Sequence, residues 1–351
     1  MFKNFKFKQK GGNDSTNIQA VNYNTGISYE DAKNISLDVY QNNAHKLAAV
    51  AAEVAKNRAE EMTEEFLQEL QKRRPEAINN VKDPDIQYAL FNAQVQYARS
   101  GDKDLGEILV DLLVERTEVI DRDFKQIVLN EAIDVMSKLN KEQIDLLTLI
   151  FCLRSIRLPE IKSISALKTY LEDFFGPLFT DRNLRDNHFL HLEYCGCLNV
   201  ERLGSSNLHS FFRNTYTGLF CNGFTPKEFL KQFNNFSRDV LSTLLMPNIH
   251  DRTRLQVNAL SDTDFVALCE KLDLGIEEIG NLKDFNNKYV MDESQVIEFL
   301  TSLYPNYIKI TELWESSDIK SSHLTTVGMA IAYTNLKRKI ELSATLDEWI
   351  S

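Results

Sequence analysis

Apolar residues recur at helical spacing near the start of the chain. Between residues 44 and 70 they follow one another mostly at steps of three or four, with Glu and Gln side chains on the other faces. This is the pattern of an amphipathic helix. The apolar positions are Leu47, Ala51, Val54, Met62, Phe66 and Leu70.

The limits of this helix follow from local signals. Ser28 can accept a hydrogen bond at the helix start, and acids occupy the first turn after it. Pro75 ends the pattern. A helix is therefore predicted over residues 29–74. Without a break it would extend about 65–70 Å at the standard helical rise, so we expect a break near Asn42 or Asn57.

Helical spacing continues through much of the rest of the chain, whereas short strand-like pieces occur at residues 191–203 and 322–326. The further predicted helices cover residues 85–100, 105–119, 122–139, 144–153, 165–175, 226–245 and 261–272. The fold class predicted is mainly α, with long amphipathic helices.

The predicted domains are three. A strand-like polar arm at residues 1–26 precedes a helical domain at 28–158, and a mixed, mostly helical domain at 159–351 ends in an element that resembles a winged helix. The boundary near residue 158 is placed where long amphipathic helices give way to shorter segments richer in aromatic residues, Gly and Cys.

Composition and charge narrow the function classes. The 351 residues are 43% hydrophobic, enough for substantial cores. The net charge is −11, and because four Lys and no acid lie in the first ten residues, the remainder carries −15. Nucleic acid is therefore not expected as a partner of the body.

Targeting signals and cysteines indicate the compartment. No apolar stretch approaches the roughly 20 residues of a membrane-spanning helix, and the basic start lacks the apolar core of a secretory signal. The five cysteines form an odd set without framework spacing. We expect a cytoplasmic protein without structural disulfides, without a transmembrane span and without a bound cofactor.

The segment at residues 17–24 has the chemistry of stacked, in-register strands. Two aliphatic side chains can fill a dry interface, side-chain amides can form ladders, and no charge or Pro interrupts them. The predicted assembly residues are Asn17, Ile18, Gln19, Val21, Asn22, Tyr23 and Asn24. They resemble the RIP homotypic interaction motif, the amyloid core of necroptosis signalling proteins, although Ala20 and Val21 replace its usual aliphatic-Gly pair.

A wider resemblance covers most of the chain. The runs at residues 12–19, 27–32, 85–90 and 97–102 and the ending near Trp349 are similar to a bacterial family with locus-style names. The resemblance implies a bacterial, cytosolic protein. Related Asn-Ile-Gln arms occur on bacterial proteins associated with antiphage defence, so antiviral defence is expected by analogy.

A His and Cys cluster raises a metal site as an alternative. His188, His191, Cys195 and Cys197 lie within ten residues, and His and Cys are good zinc ligands. Their spacing differs from that of known zinc fingers, and buried thiols beside partly exposed imidazoles are the simpler interpretation. A metal-dependent hydrolase or nuclease would use this region.

A second alternative is a DNA-binding regulator. Residues 324–339 resemble the strand-to-helix ending of winged-helix modules, with Thr325 or Thr326 as the helix cap and a basic last turn. The acidic context favours a packed terminal helix instead.

The sequence carries none of the common enzyme motifs: no Walker loop, dinucleotide fingerprint, Gly-x-Ser-x-Gly, His-Glu-x-x-His or kinase set. The hypothesis is therefore a noncatalytic protein that forms homo-oligomers. Its helices between residues 44 and 70 would supply a permanent interface, and its arm would bind itself or a partner protein carrying a similar segment.

Overall fold

The computed structural model describes residues 10–14, 26–119, 122–158, 161–176, 186–201, 207–342 and 344–350. The chain separates into two compact units, Met1–Asn57 and Arg58–Ser351. Of the residues that the structure describes, 71% are helical and the strands form only small two-stranded sheets, which confirms the predicted mainly α class. The division into domains at residues 28–158 and 159–351 stays a prediction.

The first helix, α1, spans Tyr29–Arg73 without interruption. The expected break near Asn42 or Asn57 is therefore wrong. Asn has only a modestly lower helix propensity than Ala, and the neighbouring alanines at 48, 49, 51 and 52 favour the helix strongly. Two asparagines are not enough to interrupt it.

The remaining helices belong to the second unit. The α-helices are α2 (Pro84–Ser100), α3 (Lys103–Thr117), α4 (Phe124–Met136), α5 (Lys141–Arg154), α6 (Ile164–Phe175), α7 (Asp186–Tyr194), α8 (Leu208–Thr215), α9 (Pro226–Gln232), α10 (Arg238–Leu244), α11 (Asp262–Lys271), α12 (Ile276–Asn287), α13 (Glu293–Leu303), α14 (Tyr307–Ser316), α15 (Thr326–Lys337) and α16 (Asp347–Ile350). Short 3₁₀ helices occupy Pro75–Lys82, Thr217–Phe220 and Asp318–Ser321.

Two antiparallel strand pairs complete the fold. Strand β1 (Leu198–Val200) pairs with β4 (Ser322–Leu324), so that Leu198 lies opposite Leu324. Strand β2 (Leu245–Pro247) pairs with β3 (Leu255–Val257). The strand-like pieces predicted within residues 191–203 and 322–326 are confirmed as β1 and β4, and residues 191–194 belong to the end of α7.

Side-chain caps explain where many helices begin. The Asn140 side chain accepts from the backbone N–H of Gln143, and the Gln143 side chain returns a hydrogen bond to Asn140. This capping box was predicted from the sequence. The predicted helix over residues 226–245 instead splits into α9 and α10, because Ser237 caps a new start after two asparagines.

Helices α5 and α15 pack against each other in the main core. Every residue of α5 from Gln143 to Leu153 is buried. Asn335 of α15 donates to Asp145 at 3.1 Å and to Thr148 at 2.8 Å, so the polar groups inside this contact have partners. Gly328 of α15 lies against the backbone of Cys197, which brings the helix close to β1.

A second, smaller core surrounds Phe224 in the region of α9 to α12. Phe224 and Phe229 stack with ring centroids 5.4 Å apart, and Phe285 meets both rings edge-on. The aromatic-rich second half of the sequence thus supplies a local aromatic core.

His209 gives the fold a defined pH dependence. Its side chain is buried beside the Tyr307 hydroxyl, 3.1 Å from Nδ1, and faces Glu293 and Glu315. Burial lowers the pKa of His209 below its ordinary 6.5, because the charged form is desolvated. The unfolded chain therefore binds the proton more tightly, and stability is complete above about pH 6.5.

We expect the free energy of unfolding to fall as the pH drops below that value, with a slope of up to about 1.4 kcal/mol per pH unit from this group. Urea unfolding between pH 7.5 and 5 measures it. H209Q should flatten this part of the curve. Identical curves for H209Q and the parent chain would contradict the assignment.

Candidate assembly surface

The predicted assembly residues, Asn17, Ile18, Gln19, Val21, Asn22, Tyr23 and Asn24, lie outside the residues that the structure describes. The described chain resumes at Gly26 and enters α1 three residues later. The N-terminal part of α1 is therefore the described surface nearest in sequence to the arm.

The start of α1 is fixed by a reciprocal cap. The Ser28 hydroxyl accepts from the backbone N–H of Asp31 at 3.1 Å, and the Asp31 carboxylate accepts from the Ser28 hydroxyl at 2.6 Å and from its backbone N–H at 3.2 Å. These hydrogen bonds hold the pKa of Asp31 below its usual value. The geometry is that of a capping box with Asp in place of Glu.

No residue of α1 from Tyr29 to Val54 is buried by the described chain. Large apolar side chains are nevertheless frequent in this stretch: Tyr40 and Leu47 are each 70% exposed, and Val54 is 41% exposed. These three positions recur every seven residues and so lie on one face of the helix. Val50 extends the face on one side and Ala51 on the other.

The C-terminal part of α1, unlike the N-terminal part, packs its apolar side chains into the protein core. Met62, Phe66 and Leu70 are buried in the core of their own chain. The interface predicted between residues 44 and 70 is therefore corrected: Met62, Phe66 and Leu70 are covered by their own chain, whereas Leu47, Ala51 and Val54 are exposed. We define the assembly face as Tyr40, Leu47, Val50, Ala51 and Val54.

The His and Cys cluster does not converge on one point. His191 Nε2 lies 3.8 Å from Cys195 Sγ, but its Nδ1 pairs with the Gln143 side chain at 2.8 Å. His188 is half-buried, and Cys197 is fully buried and donates to the Cys195 carbonyl. In the described part of the chain, no three His, Cys, Asp or Glu side chains are placed to hold a metal ion.

Burial also determines the chemistry of these thiols. It raises the pKa of the Cys197 thiol to about 12 and raises that of Cys195 as well. Both groups are protonated at neutral pH, whereas metal ligation and nucleophilic attack need the thiolate.

Helix α15, the element that resembles part of a winged helix, is covered by other parts of its own chain. Thr325 caps α15, as one of the two predicted residues, and most of the helix is buried. Its basic last turn is paired with acids: Lys337 with Glu115 at 3.0 Å, and Arg338 with Asp111 at 2.9 Å. This helix presents no free basic face to DNA.

A cavity of about 160 Å³ near the end of α15 was not anticipated from the sequence. Asp104 and Lys141 form one ion pair at its wall, and Asp145 and Lys339 form another. An acid inside the apolar α5 sequence was the available signal for Asp145. The first pair joins α3 to α5, and the second joins the residues after α15 to α5, so these charges hold helices together.

Among the described residues, no helix is both long and apolar enough to cross a lipid bilayer. Comparison with curated proteins found no match, and comparison with solved structures found none either. A family model described as ":-like" matches residues 26–350, a range that begins at the last residue of the arm. Because the match covers nearly the whole chain, the protein belongs to this family, whose name is locus-style.

Proposed function

We propose that this protein is a noncatalytic self-assembling protein of bacterial antiviral defence. Residues 17–24 template assembly with other copies or with a partner protein that carries a similar segment. The observation that carries the proposal is the exposed assembly face of α1, the helix that follows the arm. Exposed apolar patches of this kind mark interaction sites in soluble proteins.

The chemistry of the arm supports templating. Its amides and aliphatic side chains suit a ladder in which every strand pairs with identical strands above and below. The assembly face adds a second contact between the same molecules, and two linked contacts bind far more tightly than either alone. The assignment to defence rests on the similarity of the arm to arms of antiphage proteins.

Gln19→Asp tests templating. Strands in a ladder lie about 4.8 Å apart, so each Asp would face like charges at a cost of about 1 kcal/mol per neighbour in water and more in a dry interface. We expect the solution mass of the full chain to exceed that of a chain starting at Gly26, and Q19D to reduce it to the shorter chain's oligomeric state.

Gln9→Asp is the matched control, since it adds the same charge outside residues 17–24. It should leave the mass unchanged. The proposal is overturned if the full chain, the shortened chain and Q19D form the same monodisperse species. It also requires a peptide of residues 11–26 to acquire cross-β structure.

A further inference from the structure

We propose that residues 29–57 of α1 pair with the same residues of a second copy as a parallel two-stranded coiled coil. The inference rests on the proposed function for its orientation alone. The pairing itself is argued from the described helix, whose assembly face is left exposed by the described residues of its own chain.

The spacing of the assembly face suits a helix partner. Tyr40, Leu47 and Val54 are separated by seven residues each, and a seven-residue repeat keeps one seam turned towards a second helix along its length. On the side of the helix opposite Leu47 lie polar groups such as Asp38 and His45. From Tyr40 to Val54 the helix is therefore two-sided, whereas the exposed Ile35, Leu37 and Val39 before the seam lie off its line.

Charge identifies the occupant as a second copy. Residues 29–57 carry three Lys and four acids, a net charge of −1, whereas the whole chain carries −11. Two copies can therefore approach along this helix with little repulsion. Helices that lie on membranes carry basic polar faces, and this one does not. Covering the seam on two copies removes on the order of 1,000 Å² from water, the lower limit for a specific interface.

The flanks of the seam allow a parallel pair. Lys46 and Glu53 lie on one flank, and Ala44, Ala48 and Ala55 lie on the other. In a parallel pair each charged flank faces the partner's alanine flank, so like charges do not meet. Parallel helices also place both arms at the same end, where in-register strands can form.

Disulfide trapping of the full chain tests the pairing. Residues at equivalent seam positions of a parallel pair lie within disulfide reach of each other. We expect Tyr40→Cys and Val54→Cys each to form a covalent dimer under mild oxidation. Asp38→Cys on the opposite face is the control and should stay largely uncrosslinked. The five native cysteines are buried and do not compete.

The crosslinking results distinguish a parallel from an antiparallel pair of helices, and they test the pair independently of templating by the arm. An antiparallel pair centred on Leu47 would link Tyr40→Cys to Val54→Cys in a mixture and neither alone, and this would overturn the inference. Equal crosslinking at Asp38→Cys, or none at any position, would overturn it too. Crosslinking that persists when Q19D is added to Tyr40→Cys supports the coiled coil whether or not the arm templates larger assemblies.

Discussion

Gly328→Ala is expected to destabilise the protein by about 3 kcal/mol or more, at the upper end of the cost of overpacking. A Cβ atom at this position would overlap the carbonyl oxygen of Cys197 and lie 2.9 Å from its carbonyl carbon. Both atoms belong to backbone, which cannot swing aside as a flexible side chain can. The added methyl must therefore push α15 away from β1.

The displacement would spread because α15 also packs against α5. Unfolding in urea with far-UV circular dichroism measures the change. Gly280→Ala is the matched control: Gly280 lies within α12, and its added Cβ meets nothing within 4 Å. Since Ala favours a helix over Gly, this variant should be stabilised by about 0.5–1 kcal/mol. Equal effects at the two positions would show that close packing at Gly328 is not what matters.

Local signals were sufficient for much of the fold. The cap at Asn140 was predicted, and Thr325 was one of two residues predicted to cap α15, because each cap depends on residues within three positions along the chain. Local signals could not predict that β1 pairs with β4, because Leu198 and Leu324 are far apart in sequence. The pairing of such short strands depends on the side chains that pack around them in the fold.

The assembly face, too, could not be identified from the sequence alone. Its periodicity was visible in the sequence, but the pattern is alike at Leu47, which is exposed, and at Phe66, which is buried. A helical pattern identifies an apolar face without identifying what covers it. The positions available to another molecule could be assigned only once the burial of each side chain was known.

Buried charges were equally hidden from sequence patterns. Arg116 is fully buried, and its guanidinium donates to the Val119 carbonyl, to Asn130 Oδ1 at 3.0 Å and to the Asp85 carboxylate. Asn130 and Gln126 donate to the same Asp85 oxygen, at 2.9 and 3.1 Å. Residues from three helices thus surround the Arg116 guanidinium, and no spacing along the sequence predicts that these residues come together.

Asp85→Ala should therefore cost about 1.5–3 kcal/mol, the cost of losing a hydrogen bond to a charged group. The loss stays below that of breaking a fully buried ion pair, because Arg116 is buried but the Asp85 carboxylate is 44% exposed. Asp104→Ala provides the comparison, since Asp104 and its partner Lys141 are both more than half exposed and such pairs contribute about 1 kcal/mol or less. Urea unfolding of both variants at neutral pH measures the difference. If both variants lose about 1 kcal/mol or less of unfolding free energy, water replaces the carboxylate of Asp85 beside Arg116 despite the burial of the guanidinium.

Acid titration gives an independent measurement of the same site. Hydrogen bonds from Asn130 and Arg116 hold the pKa of Asp85 below its ordinary 3.8. The stability that Asp85 contributes is thus present above about pH 3.8 and is lost as the pH falls through the lowered pKa. Over that acid range the stability of Asp85→Ala should fall less steeply than that of the parent chain. Asp85→Asn, which keeps the side-chain shape, should show the same shallower fall, and it should lose less stability than Asp85→Ala at neutral pH. A parent-like acid limb in both variants would show that the cation is held by Asn130 and Val119 alone.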